Sequence, residues 1–208
     1  MTSLSTSSNS ASFSATFLAE TVEILRLLDV REIEKMASSL HAVRAAGGRL
    51  FILGVGGSAG HAGHAVNDFR KLCGFESYAP TDNVSELTAR VNDEGWESTF
   101  SEWLVGSHLS PSDGVLVFSV GGGNREKRIS LNIVQAVETA SRIGAHVLGV
   151  VGRDGGTTRK LAEACVVIPT VSPERVTPHT EGLCAVVWHL LVSHPLLQSR
   201  STRWESLR

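Results

Sequence analysis

Residues 49–68 read RLFILGVGGSAGHAGHAVND, and their order decides the fold. The run Arg49–Val55 is almost continuously apolar and bounded by glycines, which suits a strand buried on both faces and is too short for a separate helix. Gly54, Gly56 and Gly57 then demand a tight turn. From Ser58 to Leu72 the spacing is helical. Buried strand, glycine turn and helix form the opening unit of a parallel α/β sheet.

The alternation repeats outward from this unit. Upstream, Phe17, Leu18, Val22, Leu25 and Leu28 recur at helical intervals, and Val30–Ala46 predicts a second helix with Ile33, Met36, Leu40 and Val43 on its apolar face. Gly47 and Gly48 stop it. Downstream, strands are expected around Tyr78 and over Gly114–Val120, His146–Val151 and Cys165–Ile168. Helices are expected over Asn83–Val91, Glu97–Leu109, Arg125–Ile143, Thr157–Ala164 and Glu181–Ser193. Strands separated by helices imply an α/β doubly wound parallel sheet flanked by helices, preceded by a helical pair. The Ser-rich residues 1–14 read as a disordered leader, 15–198 as a single domain and 199–208 as a frayed tail.

Composition narrows the function classes. The chain has 208 residues, 42% of them hydrophobic, and 19 Lys plus Arg against 21 Asp plus Glu give a net charge of -2. No basic run offers a footprint for a phosphate backbone, so nucleic acid is not an expected partner. The longest apolar stretch, Leu183–Leu191, falls short of the roughly 18–20 residues a membrane span needs. Three scattered cysteines, Cys73, Cys165 and Cys184, form neither a disulfide framework nor a CxxC metal site, and fit a reducing cytoplasm.

The glycine turn admits several readings. Gly54, Gly56 and Ala59 satisfy G-x-G-x-x-A, a dinucleotide fingerprint for which Glu76 is the candidate ribose acid. Gly56–Gly60 satisfies G-x-S-x-G, the elbow of a nucleophilic serine. With Ser58 as helix cap, the turn could instead cradle an anion or a sugar on unpaired amides. A plain tight turn is the fourth reading.

Two further constellations carry ionisable groups. His61, His64 and Asp68 share one face of the helix that follows the turn, and His64 with Asp68 at i, i+4 suits two ligands of one metal or a solvated polar stripe. Late in the chain, Glu181 and His189 stand eight residues apart on a strongly apolar helix, so both can reach the same side of it.

Taken together, GVGGSAGHAGHAVND, TARVND, VFSVGGGN, VVGRDGG and EGLCAVVWH resemble, in order and spacing, the sugar isomerase (SIS) fold and specifically the phosphoheptose isomerases. The resemblance covers about Phe17 to Leu197. It implies isomerisation of sedoheptulose 7-phosphate to D-glycero-D-manno-heptose 7-phosphate through an enediol, in a homotetramer with sites between subunits. It implies zinc (Zn2+) held by His64, Asp68, Glu181 and His189, with Asp68 as base and His189 as partner acid. Substrate contacts map onto Val55, Gly56, Gly57, Ser58, Asp68, Asn92, Asp93, Ser119, Val120, Gly121, Asn124 and Glu181. The phosphate is expected on the N-terminus of a helix starting near Asn124, with Arg125, Lys127 and Arg128 as further charge.

The chain departs from the family in places. Asp68 stands where the family has Glu, Glu181 where it has Gln, and Val55 where it has Asn. The hydroxyl-rich phosphate loop is here Ser119-Val120-Gly121-Gly122-Gly123-Asn124. An octulose phosphate substrate, a non-catalytic sugar-phosphate or protein-binding SIS module, and lyase chemistry on an amino-sugar phosphate are the competing expectations.

Overall fold

The structure is a computed structural model that describes residues 8–200. Helices α1 (Ser8–Leu27) and α2 (Val30–Ala45) precede β1 (Leu50–Leu53). There follow α3 (Gly57–Cys73), β2 (Ser77–Tyr78), α4 (Val84–Glu94), α5 (Thr99–Gly106), β3 (Gly114–Ser119), α6 (Leu131–Ile143) and β4 (His146–Val151). The chain continues through α7 (Gly156–Leu161), β5 (Ala164–Val167), a 3-10 turn at Pro173–Arg175 and α8 (Val176–Ser193). All strands pair in parallel in the order β2-β1-β3-β4-β5, the doubly wound arrangement expected.

Alternate strand residues face opposite cores. Leu50, Ile52, Leu116, Phe118, Leu148 and Val150 pack beneath α2, α3 and α8. Phe51, Leu53, Val115, Val117 and Val147 pack against α5 and α6 on the other face. With both faces covered, β1 is buried at all four positions, as its unbroken apolar run predicts. The strand order reverses direction between β1 and β3, and ligands of such sheets gather at the carboxyl ends of strands flanking this point.

Three boundaries differ most from the sequence reading. Helix α1 begins at Ser8, inside the stretch read as a leader, while residues 1–7 and 201–208 lie outside the described ones. Helix α6 begins at Leu131 rather than Arg125. Residues 124–128 read NREKR and bring no apolar group to bury, so the chain closes instead through an antiparallel bridge between Asn124 and Ile129. Helix α8 begins at Val176, ahead of Pro178, whose missing N–H lies in the first turn, where no helical partner is needed.

Helix α1 buries little of its apolar stripe: Leu18, Val22, Leu25 and Leu27 are all exposed, and Ile24 is buried. Its polar anchor is Glu20, which accepts from Arg175 Nε and Nη2 at 2.8 and 2.6 Å and pairs with His179 Nε2 at 2.8 Å. The Phe17 ring stacks on His179 at 4.3 Å.

Candidate active site

The glycine turn is as tight as its sequence demands. Gly56 has φ +61°, a conformation open to glycine, and caps α3. A side chain at Gly54 would stand 2.3 Å from the Ser58 carbonyl, and one at Gly57 would stand 2.6 Å from Glu181 Oε1. These absences let Ser58 turn inward and let Glu181 of α8 lie against the turn.

A cavity of ≈ 650 Å³ opens across the carboxyl ends of β1, β3 and β4. Val55, Ser58, Ser119, Val120, Gly121, Asn124 and Glu181 line it, seven of the residues expected to contact substrate. Gly56 and Gly57 form the turn behind it. Lys127, Ser130, Arg153, Asp154 and Thr177 also line it. Of these, Lys127 alone was legible, as a charge near the glycine loop; Arg153 lies in VVGRDGG without a marker of its role.

The expected helix N-terminus for phosphate is not at Asn124. The Asn124 N–H donates to the Ile129 carbonyl and the Ile129 N–H to the Asn124 carbonyl, both at 2.9 Å, which consumes amides that the reading assigned to an anion. Arg125 is tied to Glu138, and Arg128 to Glu97 at 2.8 Å. Asn92 and Asp93 lie on α4, exposed and bonded to each other at 2.7 Å, and neither lines the cavity.

Further along α3 and α8, three predicted ligands converge. Oδ2 of Asp68 is 3.6 Å from His64 Nε2 and 4.0 Å from His189 Nε2. One donor atom from each lies within 4.8 Å of the others. His189 Nδ1 donates to the Ala185 carbonyl at 2.8 Å, which leaves the Nε2 lone pair free to face the group. Trp188, fully buried between them, holds its ring 4.7 Å from that of His64.

Asp68 is 2% exposed, and its Oδ2 has no hydrogen-bond partner. A buried carboxylate oxygen without a donor calls for a proton or a cation. Two imidazole nitrogens and one carboxylate oxygen are a donor set suited to a divalent cation, with a position left open for a further ligand. This triad is the possible metal site among the described residues.

Glu181 does not join it. It stands eight residues before His189, a rise of about 12 Å along α8, so spacing that shares a side of the helix does not share its depth. Its carboxylate lies at Gly57 and faces the cavity. His61, predicted on the same stripe as His64, is likewise absent from the triad. Cys184 is not among the groups that converge, and burial pushes its thiol up to about 12 with Glu181 adding to it.

Known proteins resemble this chain over most of its length. LmbN, a lincomycin biosynthesis protein of Streptomyces lincolnensis, is 35% identical over 156 residues, 72% of this chain and 56% of LmbN. The phosphoheptose isomerase of Rhodospirillum rubrum is 30% identical over 164 residues, covering 76% of this chain and 81% of that enzyme. The chain belongs to the phosphoheptose isomerase family. Phosphoheptose isomerase from Trichlorobacter lovleyi agrees, at 32% identity over 78% of its length. Phosphoheptose isomerase GmhA from Neisseria gonorrhoeae superposes with a TM-score of 0.75 at 22% identity, covering 88% of this chain and 96% of that one, and shows the same fold. No protein-family model matches the chain. Within that family the chain falls among the SIS sugar phosphate isomerases. No helix among the described residues is long and apolar enough to cross a membrane.

Proposed function

We propose that the protein is a zinc-dependent ketose-aldose isomerase that converts sedoheptulose 7-phosphate to D-glycero-D-manno-heptose 7-phosphate. The carrying observation is the unsatisfied, buried Oδ2 of Asp68 facing two imidazoles. Moving a carbonyl from C2 to C1 requires taking a proton from C1, forming an enediol, and delivering a proton to C2. The Asp68 carboxylate is the base that takes the C1 proton and returns it at C2. His189, held by Ala185 with Nε2 outward, exchanges the proton of the adjacent oxygens.

His64, Asp68 and His189 would hold zinc, and the bound ion would supply polarisation of the reacting oxygens. Glu181, beside Ser58 in the cavity, accepts hydrogen bonds from sugar hydroxyls. The loop from Ser119 to Asn124 seats the phosphate end.

The triad lies about 9 Å along α3 from Ser58 and does not line that chain's own cavity. His64 and His189 are half exposed, and Val186 and Leu190 beside His189 are exposed apolar residues. We infer a homotetramer in which the triad of one copy faces the cavity of the next, with the stripe of α1 among the covered surfaces. Kinetics on a panel of seven- and eight-carbon ketose phosphates test this reading. The seven-carbon substrate is expected to have the highest kcat/KM, with activity lost in Asp68→Ala; preference for eight carbons would replace the substrate, and inactivity on all would replace the function.

A further inference from the structure

Two cationic side chains line the cavity, Lys127 from the segment after β3 and Arg153 from the turn after β4. Neither side chain is tied into an ion pair or hydrogen bond among the described residues, whereas the nearby Arg125 and Arg128 are both paired with glutamates. The acidic groups in the same lining are Asp154 and Glu181. Asp154 Oδ1 accepts the Gly156 N–H at 3.1 Å, and Glu181 lies at the β1 end against Gly57. Glu181 thus lies against the turn after β1 and Arg153 follows β4, with β3 between those two strands.

Arg153 has φ +53°, a left-handed conformation that side-chain-bearing residues rarely adopt. Its turn is locked to the glycine loop. The Thr158 N–H and Oγ1 donate to the Gly122 carbonyl at 2.9 and 2.8 Å, and the Thr157 N–H donates to the Gly123 carbonyl at 2.8 Å. A Cβ at Gly122 would stand 1.9 Å from the Gly155 carbonyl oxygen. The Arg153 turn therefore packs backbone against backbone on the glycine loop, and the Arg153 Cδ lies 3.7 Å from where a Cβ at Gly121 would stand, which lays the side chain along the loop.

We propose that Arg153, assisted by Lys127, is the specificity determinant for the phosphate end of the substrate, gripping it by charge where Ser119 is the one hydroxyl this loop keeps. The assignment rests on the isomerase reading for its substrate, but the anion grip itself can be measured without catalysis. A guanidinium binds phosphate oxygens through two parallel hydrogen bonds, and such bonds weaken with added salt when the site is open.

The test is calorimetric titration of inorganic phosphate, with steady-state kinetics on sedoheptulose 7-phosphate, for the full-length wild type, Arg153→Gln, Arg153→Gly and Lys127→Gln. Arg153→Gln is expected to weaken phosphate binding and raise KM roughly ten- to a hundredfold, with little change in kcat, since the contact is made equally in ground and transition states. Arg153→Gly is expected to lose the same affinity without a lower Tm, because glycine suits the positive φ. Lys127→Gln shows a smaller loss. Unchanged phosphate affinity and KM in Arg153→Gly overturn the proposal while leaving the isomerase intact. Lost phosphate affinity in a protein that turns over no ketose phosphate supports the anion grip and overturns the isomerase reading instead.

Discussion

Asp68 Oδ2 stands 4.0 Å from His189 Nε2, and these two atoms come from helices far apart in the chain. Nothing in the described residues donates a hydrogen bond to that oxygen. Its charge is therefore costly to the empty fold and useful to a bound cation or a transferred proton. Asp68→Asn keeps the shape and removes the charge. We expect kcat to fall by about 10²–10⁴-fold. In metal-free protein the same change should leave Tm unchanged or raise it, as differential scanning fluorimetry will show; a fall in both would mark Asp68 as structural.

The imidazoles should govern metal content. Elemental analysis of purified wild type is expected to give one zinc per chain. His64→Ala and His189→Ala should each weaken zinc binding by roughly tenfold or more, since each removes one of three donors. Ala185 offers its carbonyl to His189, so the peptide bond orients that ring and no side-chain substitution at 185 removes the contact.

Gly57 tests the position of Glu181. A methyl there would meet Oε1 of Glu181 at 2.6 Å, and the carboxylate is the flexible partner. Gly57→Ala should lower kcat/KM by about tenfold or more, with a Tm shift of a few degrees at most. Equal activity would show that Glu181 does not need its place at the turn.

Much of this was legible in the sequence, for identifiable reasons. Buried strands announce themselves by apolar runs that need no partner to be read, and His64 with Asp68 are neighbours on one helix. Convergence of His189 on them depends on how α3 and α8 pack, which spacing alone does not give. Spacing misplaced Glu181 because it reports the side of a helix and not the depth along it. The start of α6 was misread because charged residues tolerate a helix without requiring one, and the positive φ values of Arg128 and Ser130 follow from loop closure. Arg153 had no local signal, since its partner is a loop remote in sequence.

Acid should loosen α1. Hydrogen bonds from Arg175 and then His179 hold the Glu20 carboxyl at about 2, below its ordinary 4.5. A carboxyl with a depressed folded-state pKa contributes stability that is present above the ordinary value and lost as pH falls through the folded one. Wild type should therefore lose stability between pH 4.5 and about 2 by an increment that Glu20→Gln does not show. Chemical denaturation of both proteins across that range checks it; parallel profiles would remove Glu20 from the account.

The proposed sharing of sites between copies makes a further prediction. Asp68→Asn subunits keep an intact cavity, and Glu181→Ala subunits keep an intact triad. Unfolding and refolding an equal mixture should restore about a quarter of wild-type activity if each site joins two copies. No recovery, with mixed tetramers shown by native mass spectrometry, would place each site within one chain.

The most direct measurement is proton NMR of sedoheptulose 7-phosphate with zinc-loaded enzyme in deuterated water. Transfer by an exchangeable base through an enediol predicts appearance of the aldose phosphate with deuterium at C2, and product and label formed at least about a hundredfold more slowly with Asp68→Asn. A metal-loaded wild-type protein that leaves the ketose unchanged and unlabelled, while mixed with substrate well above millimolar, would contradict the isomerase.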